Sequence, residues 1–329
     1  MKTRIHSPVL WPLVGLIALL LVNAIFDPNF VKVVVHDGHL YGMPVDILTQ
    51  GSRTMLVALG MTLVIATGGI DLSVGSVVAI AGALCAALLQ QGNGIALTVA
   101  AALGAGLLAG SVNGQLVARF GVQPIVATLI LMVAGRGIAQ LIVGGQVVFI
   151  TNPPFEFFAN GFLLGLPFAP LLVFALYAAA HLALRRTALG LFIEGVGDNE
   201  TASRFAGLSA RRIKTLAYVF CGACAGLAGV LAASNIRAGD AYRTGENMEL
   251  DAIFAVVVGG TALTGGRFTL LGTAIGAVLI QTLTTSMYNF GVPPAVAPVP
   301  KALLIIGVSL LQSEKVGRWL GSIAKRRTA

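Results

Sequence analysis

Charge, cysteine and catalytic signatures are all scarce in this chain. Asp, Glu, Lys and Arg make up 10% of its 329 residues, where a soluble domain carries about a quarter. With 57% hydrophobic residues and a mean hydropathy of +0.90, that shortage excludes an ordinary water-facing exterior and makes the chain an integral membrane protein. Three cysteines cannot frame a disulfide-rich fold. Cys85 lies in an apolar run. Cys221 and Cys224 are spaced C-x-x-C but sit inside an apolar helix, where redox or metal chemistry lacks an accessible thiolate. No Gly-Lys dipeptide occurs, so a P-loop is excluded. EGVGDNE at 194–200 has two glycines of a dinucleotide fingerprint but not the third, and no strand precedes it. HExxH and GxSxG are also missing. The chain therefore shows no catalytic set and reads as a pore or gate rather than an enzyme. The net charge of +8 comes from basic residues beside membrane spans, not from a nucleic-acid surface.

What is present is a series of apolar runs, each near the roughly 20 residues a helix needs to cross a bilayer. They fall at 8–26, 51–70, 73–90, 94–118, 122–143, 162–183, 215–234, 250–265, 268–287 and 297–312. The run at 250–265 is short, as for a broken or tilted element. Ten spans with the N-terminus inside put every Lys and Arg on the cytoplasmic side except Lys32, Arg53, Arg136, Arg237, Arg243 and Lys301. A connection at about 184–214 and a basic tail at 313–329 then share that side. The expected fold is an all-α polytopic membrane domain spanning 1–329. Ten spans divide as five plus five, and an odd number per half forces opposite orientations, the inverted-repeat plan of many transporters. GGIDLSVGSVVAIAG and ELDAIFAVVVGGTALTGG, one in each half, both set an Asp beside small-residue helix.

The polar residues inside this greasy background are the candidate site. Asp71 follows Gly68 and Gly69 and can cap the next helix, with Ser73 and Ser76 in its first turn. It also suits a broken helix lining a pathway. Asn113 and Gln115 lie late in the fourth run and can bond between helices. Arg136 lies well inside the fifth run, where an arginine costs about 2.5–3.5 kcal/mol on insertion scales. It needs water or an acid, with Asp251 or Glu156 as partner, and Gln140 follows one turn later. His36, Asp37 and His39 read as a solvated loop rather than a metal site. The Pro-rich stretches at 151–158 and 292–300 read as turns.

The most charged segment is Glu194–Lys214. It reads as a short helix, with Asp198 or Asn199 as N-cap, Glu200 in the first turn and Gly207 as the stop. Ala202, Phe205 and Ala206 share one face. That face serves either as a connector or as a knob that docks into a soluble partner.

Four stretches then carry a wider likeness: GMTLVIATGGIDLSVGS (60–76), QPIVATLILMVAGRGIAQLI (123–142), TALGLFIEGVGDNETASRFAGLSARRIK (187–214) and ELDAIFAVVVGGTALTGGRFTLLGT (249–273). With the span pattern they cover nearly the whole chain. The chain resembles the permease subunits of bacterial carbohydrate ABC importers serving ribose, galactose, xylose and galactofuranose. Residues 123–142 and DGHLYGMPVDIL (37–48) are most similar to the galactofuranose members. The resemblance implies a multi-pass protein of the bacterial inner membrane with both termini cytoplasmic. It makes the 194–207 segment the coupling helix for a separate ABC ATPase, through Glu194, Gly195, Gly197, Asp198, Asn199, Ala202, Phe205, Ala206 and Gly207. ATP and Mg would be bound by that partner, with no cofactor in this chain. A second permease, identical or not, would share the translocation path, with membrane lipid around the pair. A periplasmic sugar-binding protein would dock on outer loops bearing Asp37, Asp46, Glu156, Asp240, Arg243 and Glu246. Uncharged sugars need hydrogen-bonding groups and no fixed charge, which points to Thr67, Ser73, Asn113, Gln115, Gln140 and Asn235. Asp71, Arg136 and Asp251 are the charged candidates near the path. An ion-coupled secondary sugar transporter is the alternative, and a membrane transferase acting on lipid-linked sugars is a further one.

Overall fold

The computed structural model describes residues 9–293, 296 and 298–312. The basic tail at 313–329, and Lys2 and Arg4, lie outside the described residues. The chain opens with α1 (Leu10–Phe26), a 3-10 turn (Pro28–Val31) and a hairpin of β1 (Val34–His36) and β2 (His39–Tyr41). Four helices follow: α2 (Met43–Ala66), α3 (Val74–Gln90), α4 (Ile95–Ala118) and α5 (Pro124–Ile142). β3 (Val148–Phe149), α6 (Pro153–Asn160) and the hairpin β4 (Phe162–Leu163) and β5 (Leu166–Pro167) lead into α7 (Phe168–Arg186). Two short helices, α8 (Leu189–Asp198) and α9 (Glu200–Phe205), connect to α10 (Ala210–Ile236). The chain continues through β6 (Ala238–Gly239), α11 (Met248–Val258), α12 (Leu270–Asn289) and α13 (Pro298–Gln312).

The expectation of an all-α membrane fold holds in its coarse form. Among the described residues, α2, α4, α5, α7, α10 and α12 are long and apolar enough to cross a membrane, and α1 and α3 are shorter apolar helices. α11 has 11 residues and rises only about 16 Å, so it does not cross alone; the short run at 250–265 is a half-helix ended by Gly259 and Gly260. Several boundaries differ from the sequence reading. α2 begins at Met43, not 51, because Gly42 takes φ +137° and Pro44 occupies the first turn. α7 begins at Phe168, since 162–167 turns back as a hairpin. The Pro-rich stretch at 151–158 is largely a helix start, where proline's missing N–H is harmless. Asn152 caps α6 by accepting from the Phe155 amide at 3.1 Å. Ser234 of α10 then fixes it, accepting from the Ala159 amide at 3.0 Å and donating to the Phe155 carbonyl at 2.9 Å.

α2 and α10 form the centre. Their apolar windows are 78% and 72% buried, against 22–28% for α4, α5 and α7. α10 packs on α4, α3 and α2, and α2 packs on α12 and α11. The small residues make this closeness attainable. A Cβ at Gly106 of α4 would sit 2.2 Å from the Gly222 carbonyl oxygen of α10, and one at Gly222 would sit 2.1 Å from the Gly106 oxygen. The two backbones touch. Gly60 of α2 meets Cys221 of α10 the same way, at 2.6 Å from its Cα. Cys221 and Cys224 are buried and unbonded, so the C-x-x-C is part of a packing seam. Between α2 and α12, Thr62 and Thr273 share a buried hydroxyl bond of 2.9 Å.

The α4–α10 seam gives a direct test. Gly222→Leu puts a branched side chain where a carbonyl lies, and overpacking of this kind costs about 1–3 kcal/mol or more. The variant should show a clearly lowered melting temperature in detergent and poor membrane yield, while Gly104→Leu, at a position facing open space, should behave like the parent.

Candidate functional site

The 184–214 connection holds two helices where the sequence reading expected one. Glu194, Gly195, Gly197 and Asp198 lie on α8, and Ala202 and Phe205 on α9. Glycine-rich LGLFIEGVGD is a poor autonomous helix. Packing overrides that preference, because Ile193 and Val196 are buried beneath it. Asn199 separates the two helices. Its amide bonds the Gly195 carbonyl, closing α8, and its side chain accepts from the Ala202 amide at 2.9 Å, opening α9. Ala206 caps the C-terminus, and Gly207, at φ +85°, ends the turn. Glu200 accepts from Arg204 and from Lys214 at the start of α10. The Lys214 hydrogen bond foremost, then Arg204, holds the Glu200 carboxyl below its ordinary range. The expected face forms and points away from the protein: Ala202 and Ala206 are exposed, and Phe205 is 89% exposed. Ser203 turns inward and is buried.

Gly197 seats this arm on the bundle. A Cβ there would lie 1.8 Å from the carbonyl oxygen of Ala66, the last residue of α2, and 2.5 Å from the Gly266 amide nitrogen. That amide donates to the same Ala66 oxygen at 2.9 Å. Three segments thus meet backbone to backbone: the end of α8, the end of α2 and the loop before α12.

Just beyond lies a buried polar cluster. Asp71 is 1% exposed. Its Oδ1 accepts from the Ser73 amide at 3.0 Å, the Ser73 hydroxyl at 2.6 Å and Asn113 Nδ2 at 3.3 Å. Asn113 also donates to Ser73 Oγ at 2.8 Å. Thr67 donates to the Val64 carbonyl at 2.8 Å and finishes α2. Asp71, Ser73 and Asn113 are therefore brought together, tying the start of α3 to α4, while Thr67 bonds only within the end of α2. Gln115 is not with them; it is exposed on another face of α4.

Arg136 corrects an expectation. Its Nη1 donates to the carbonyls of Ala241, Tyr242 and Thr244, at 3.3, 3.4 and 2.6 Å. Neither expected acid pairs with it. Asp251 binds Lys301 of α13 at 2.9 Å, and Glu156 binds Arg237 at 3.0 Å. Arg136 is satisfied by a turn's carbonyls, which pins 241–244 to α5. Gln140, one turn on, is half-buried, and Asn235 reaches Asn160 at 3.5 Å.

At the end of the bundle opposite the arm lies a cavity of about 500 Å³. Gln50, Arg53 and Thr54 of α2 line it, with Phe149, Asp240, Arg243, Asp251 and Gln281. The antiparallel β3–β6 pair, with Phe149 opposite Ala238, closes one wall. Arg53 bonds Gln50 through both its Nε and its Nη2. Of the expected path residues, Asp251 lines this cavity. The cavity lining carries fixed charge, from Arg53, Asp240, Arg243, Glu246 and Asp251. Arg53, Gln50, Phe149 and Gln281 were not singled out from sequence. The available signal was Arg53, an arginine three residues into an apolar run and as anomalous there as Arg136. Guanidinium, amide and carboxylate groups beside a 73% exposed phenyl ring offer donors, acceptors and an apolar face to a polyhydroxylated solute. They do not make a nucleophile–base pair. Among the described residues no group of three or more His, Cys, Asp or Glu could hold a metal.

Residues 43–309 match the family described as the branched-chain amino acid transport system / permease component. The galactofuranose transporter permease protein YtfT of Escherichia coli is 48% identical over 95% of this chain and 92% of its own. The fructose import permease protein FruF of Bifidobacterium longum is 38% identical over 99% and 93%. The ribose import permease protein RbsC of Escherichia coli is 36% identical over 92% and 93%. No solved structure matches. With its apolar spans, its exposed arm and a family match across most of its length, the chain belongs to this permease family and is a multi-pass transport subunit rather than an enzyme.

Proposed function

We propose that the chain is the membrane subunit of an ATP-driven importer of a monosaccharide, galactofuranose or a related sugar, and that a separate ATPase drives it. The carrying observation is Phe205: a large apolar side chain, 89% exposed, on a rigid capped helix at the tip of an arm. An apolar knob held out from the surface fits a cleft in a partner. The arm face on this reading is Ala202, Phe205 and Ala206, with Glu194, Gly195, Gly197, Asp198, Asn199 and Gly207 shaping it. ATP and Mg belong to the partner.

The whole chain then acts as one transmembrane domain of ten spans in a five-plus-five inverted repeat. Its packing supports this. Matching α2 with α10, α3 with α11 and α4 with α12 turns each main contact into another: α10–α4 into α2–α12, α10–α3 into α2–α11, and α3–α4 into α11–α12. With basic residues placed inside, the arm and both termini are cytoplasmic in the bacterial inner membrane. The 500 Å³ cavity then faces the periplasm, where a sugar-binding protein delivers its cargo, and a second permease completes the path.

α2 is the transmission element. Its first turns carry Gln50, Arg53 and Thr54 in the cavity, and its last residue, Ala66, carries the seat of the arm. A movement of α8 therefore reaches the cavity through one rigid helix rather than through side-chain repacking. Asp71, Ser73 and Asn113 lock α3 to α4 beside that shaft, and Thr67 closes its end. Arg136 braces the cavity wall, and Gln115, Gln140 and Asn235 take lesser parts in the packed faces.

Three outcomes follow. Phe205→Asp should insert normally but lose at least tenfold in sugar uptake by intact cells; parental uptake in that variant would refute the docking role. Gly197→Val should lift α8 from α2, so that partner ATP hydrolysis continues while vesicle uptake falls. Arg53→Gln should lower uptake about tenfold with unchanged insertion, because a hydrogen bond to a charged group contributes about 1.5–3 kcal/mol. Uptake that persists without any ATPase but collapses with an uncoupler would instead establish the ion-coupled alternative.

A further inference from the structure

The arm's end of the bundle holds a second cavity that the transport scheme leaves unused. It measures about 650 Å³ and lies between α4 and α10. The two helices are in backbone contact from Gly106 to Gly114, where a Cβ on Gly114 would lie 3.0 Å from the Thr215 Cα. Beyond that point α4 carries Gln115 and Arg119, and α10 starts with Arg211 and Arg212. Arg119, Arg211 and Arg212 line the space together with Gln115, Ser209 and Leu216.

The charges here are unequal. Five cations gather where α4 ends and α10 begins: Arg119, Arg204, Arg211, Arg212 and Lys214. Glu200 takes Arg204 and Lys214. Among the described residues no carboxylate forms an ion pair with Arg119, Arg211 or Arg212, although Glu200 lines the adjoining cavity with Arg119 and Arg211. α10 adds no acid of its own, since its first turn carries no acidic residue and Ser209 makes no side-chain cap. Three guanidinium groups and an uncapped helix start thus face one cavity, a strong preference for an anion with several oxygens. The walls say which anion. Below the arginines the helices present Leu108, Val112 and Leu216, 69%, 50% and 58% exposed, on spans that face the hydrocarbon. A small soluble anion needs no such surface. A phosphodiester joined to acyl chains uses both the cationic top and the apolar flank. Basic residues near a membrane face are usual, but that tendency does not gather three unpaired arginines around one cavity.

We propose that this cavity binds the headgroup phosphate of an anionic phospholipid through Arg119, Arg211 and Arg212, with the acyl chains lying along α4 and α10. The site neighbours the arm, so lipid bound there steadies the start of α10 against which Glu200 and Lys214 hold α9.

The test uses the full chain purified in detergent, with retained phosphatidylglycerol and phosphatidylcholine counted by native mass spectrometry. The parent should retain phosphatidylglycerol preferentially, and excess inorganic phosphate should not displace it. Arg119→Gln, Arg211→Gln and Arg212→Gln should each weaken retention about fivefold, which is about 1 kcal/mol per charge near anionic lipid. Arg185→Gln/Arg186→Gln, at the end of α7, should leave it unchanged. The shift in melting temperature of each single variant on adding phosphatidylglycerol, smaller than the parent's, gives a second reading. Equal retention of both lipids, displacement by free phosphate, or unchanged retention in the arginine variants would each overturn the proposal. So would variants that keep the lipid but lose coupling in vesicles, because that would make these arginines contacts to the ATPase.

Discussion

Backbone contact along α10 is the constraint on which the rest of the structure depends. Lipid tails are as apolar as leucine, so burying leucine between helices gains little in a membrane. Association there comes from close van der Waals contact, which falls off within an ångström of separation. Gly106 against Gly222, and Gly60 against Cys221, bring α4 and α2 to the shortest distance from α10 that backbones allow. Helices held this closely do not bend around a solute. They move as bodies, which is the motion that a driven gate requires.

The polar groups follow from the same arrangement. A buried carboxylate such as Asp71 is tolerable only when hydrogen-bonded, and the packing of α3 on α4 brings Asn113 and Ser73 to its Oδ1. Arg136 meets its cost with three carbonyls of one turn. That turn forms part of the cavity wall, so the same bonds that neutralise an intramembrane arginine also shape the cavity. Neither arrangement involves a charge pair, and this distinguishes them from Lys301–Asp251 and Arg237–Glu156, which do.

The arm shows how much local sequence can announce. Asn199, Glu200 and Gly207 name the start, first turn and end of α9 by their side-chain chemistry alone, and the face of Ala202, Phe205 and Ala206 follows from spacing. α8 was not legible, because Gly190, Gly195 and Gly197 argue against a helix, and only tertiary contacts such as that of Gly197 with Ala66 and Gly266 favour one. The short run at 250–265 was legible as incomplete. The start of α2 was not, since polar residues between Met43 and Gln50 hid a helix that begins well before the apolar run. Arg53 carried the same signal as Arg136, but most of the groups that share its cavity come from other segments of the chain.

The sequence by itself determined the class: an apolar chain with periodic spans, a basic face and no nucleotide or catalytic motif, because hydropathy, charge bias and motif spacing are local properties. Tertiary structure alone decided which polar residues work together. Arg53, Phe149, Asp240 and Gln281 are far apart along the chain and share a cavity only once α2, α10 and α12 have packed. Arg136 and Asp251, which the sequence invites one to pair, are each satisfied by closer groups, since hydrogen bonding responds to distance in space.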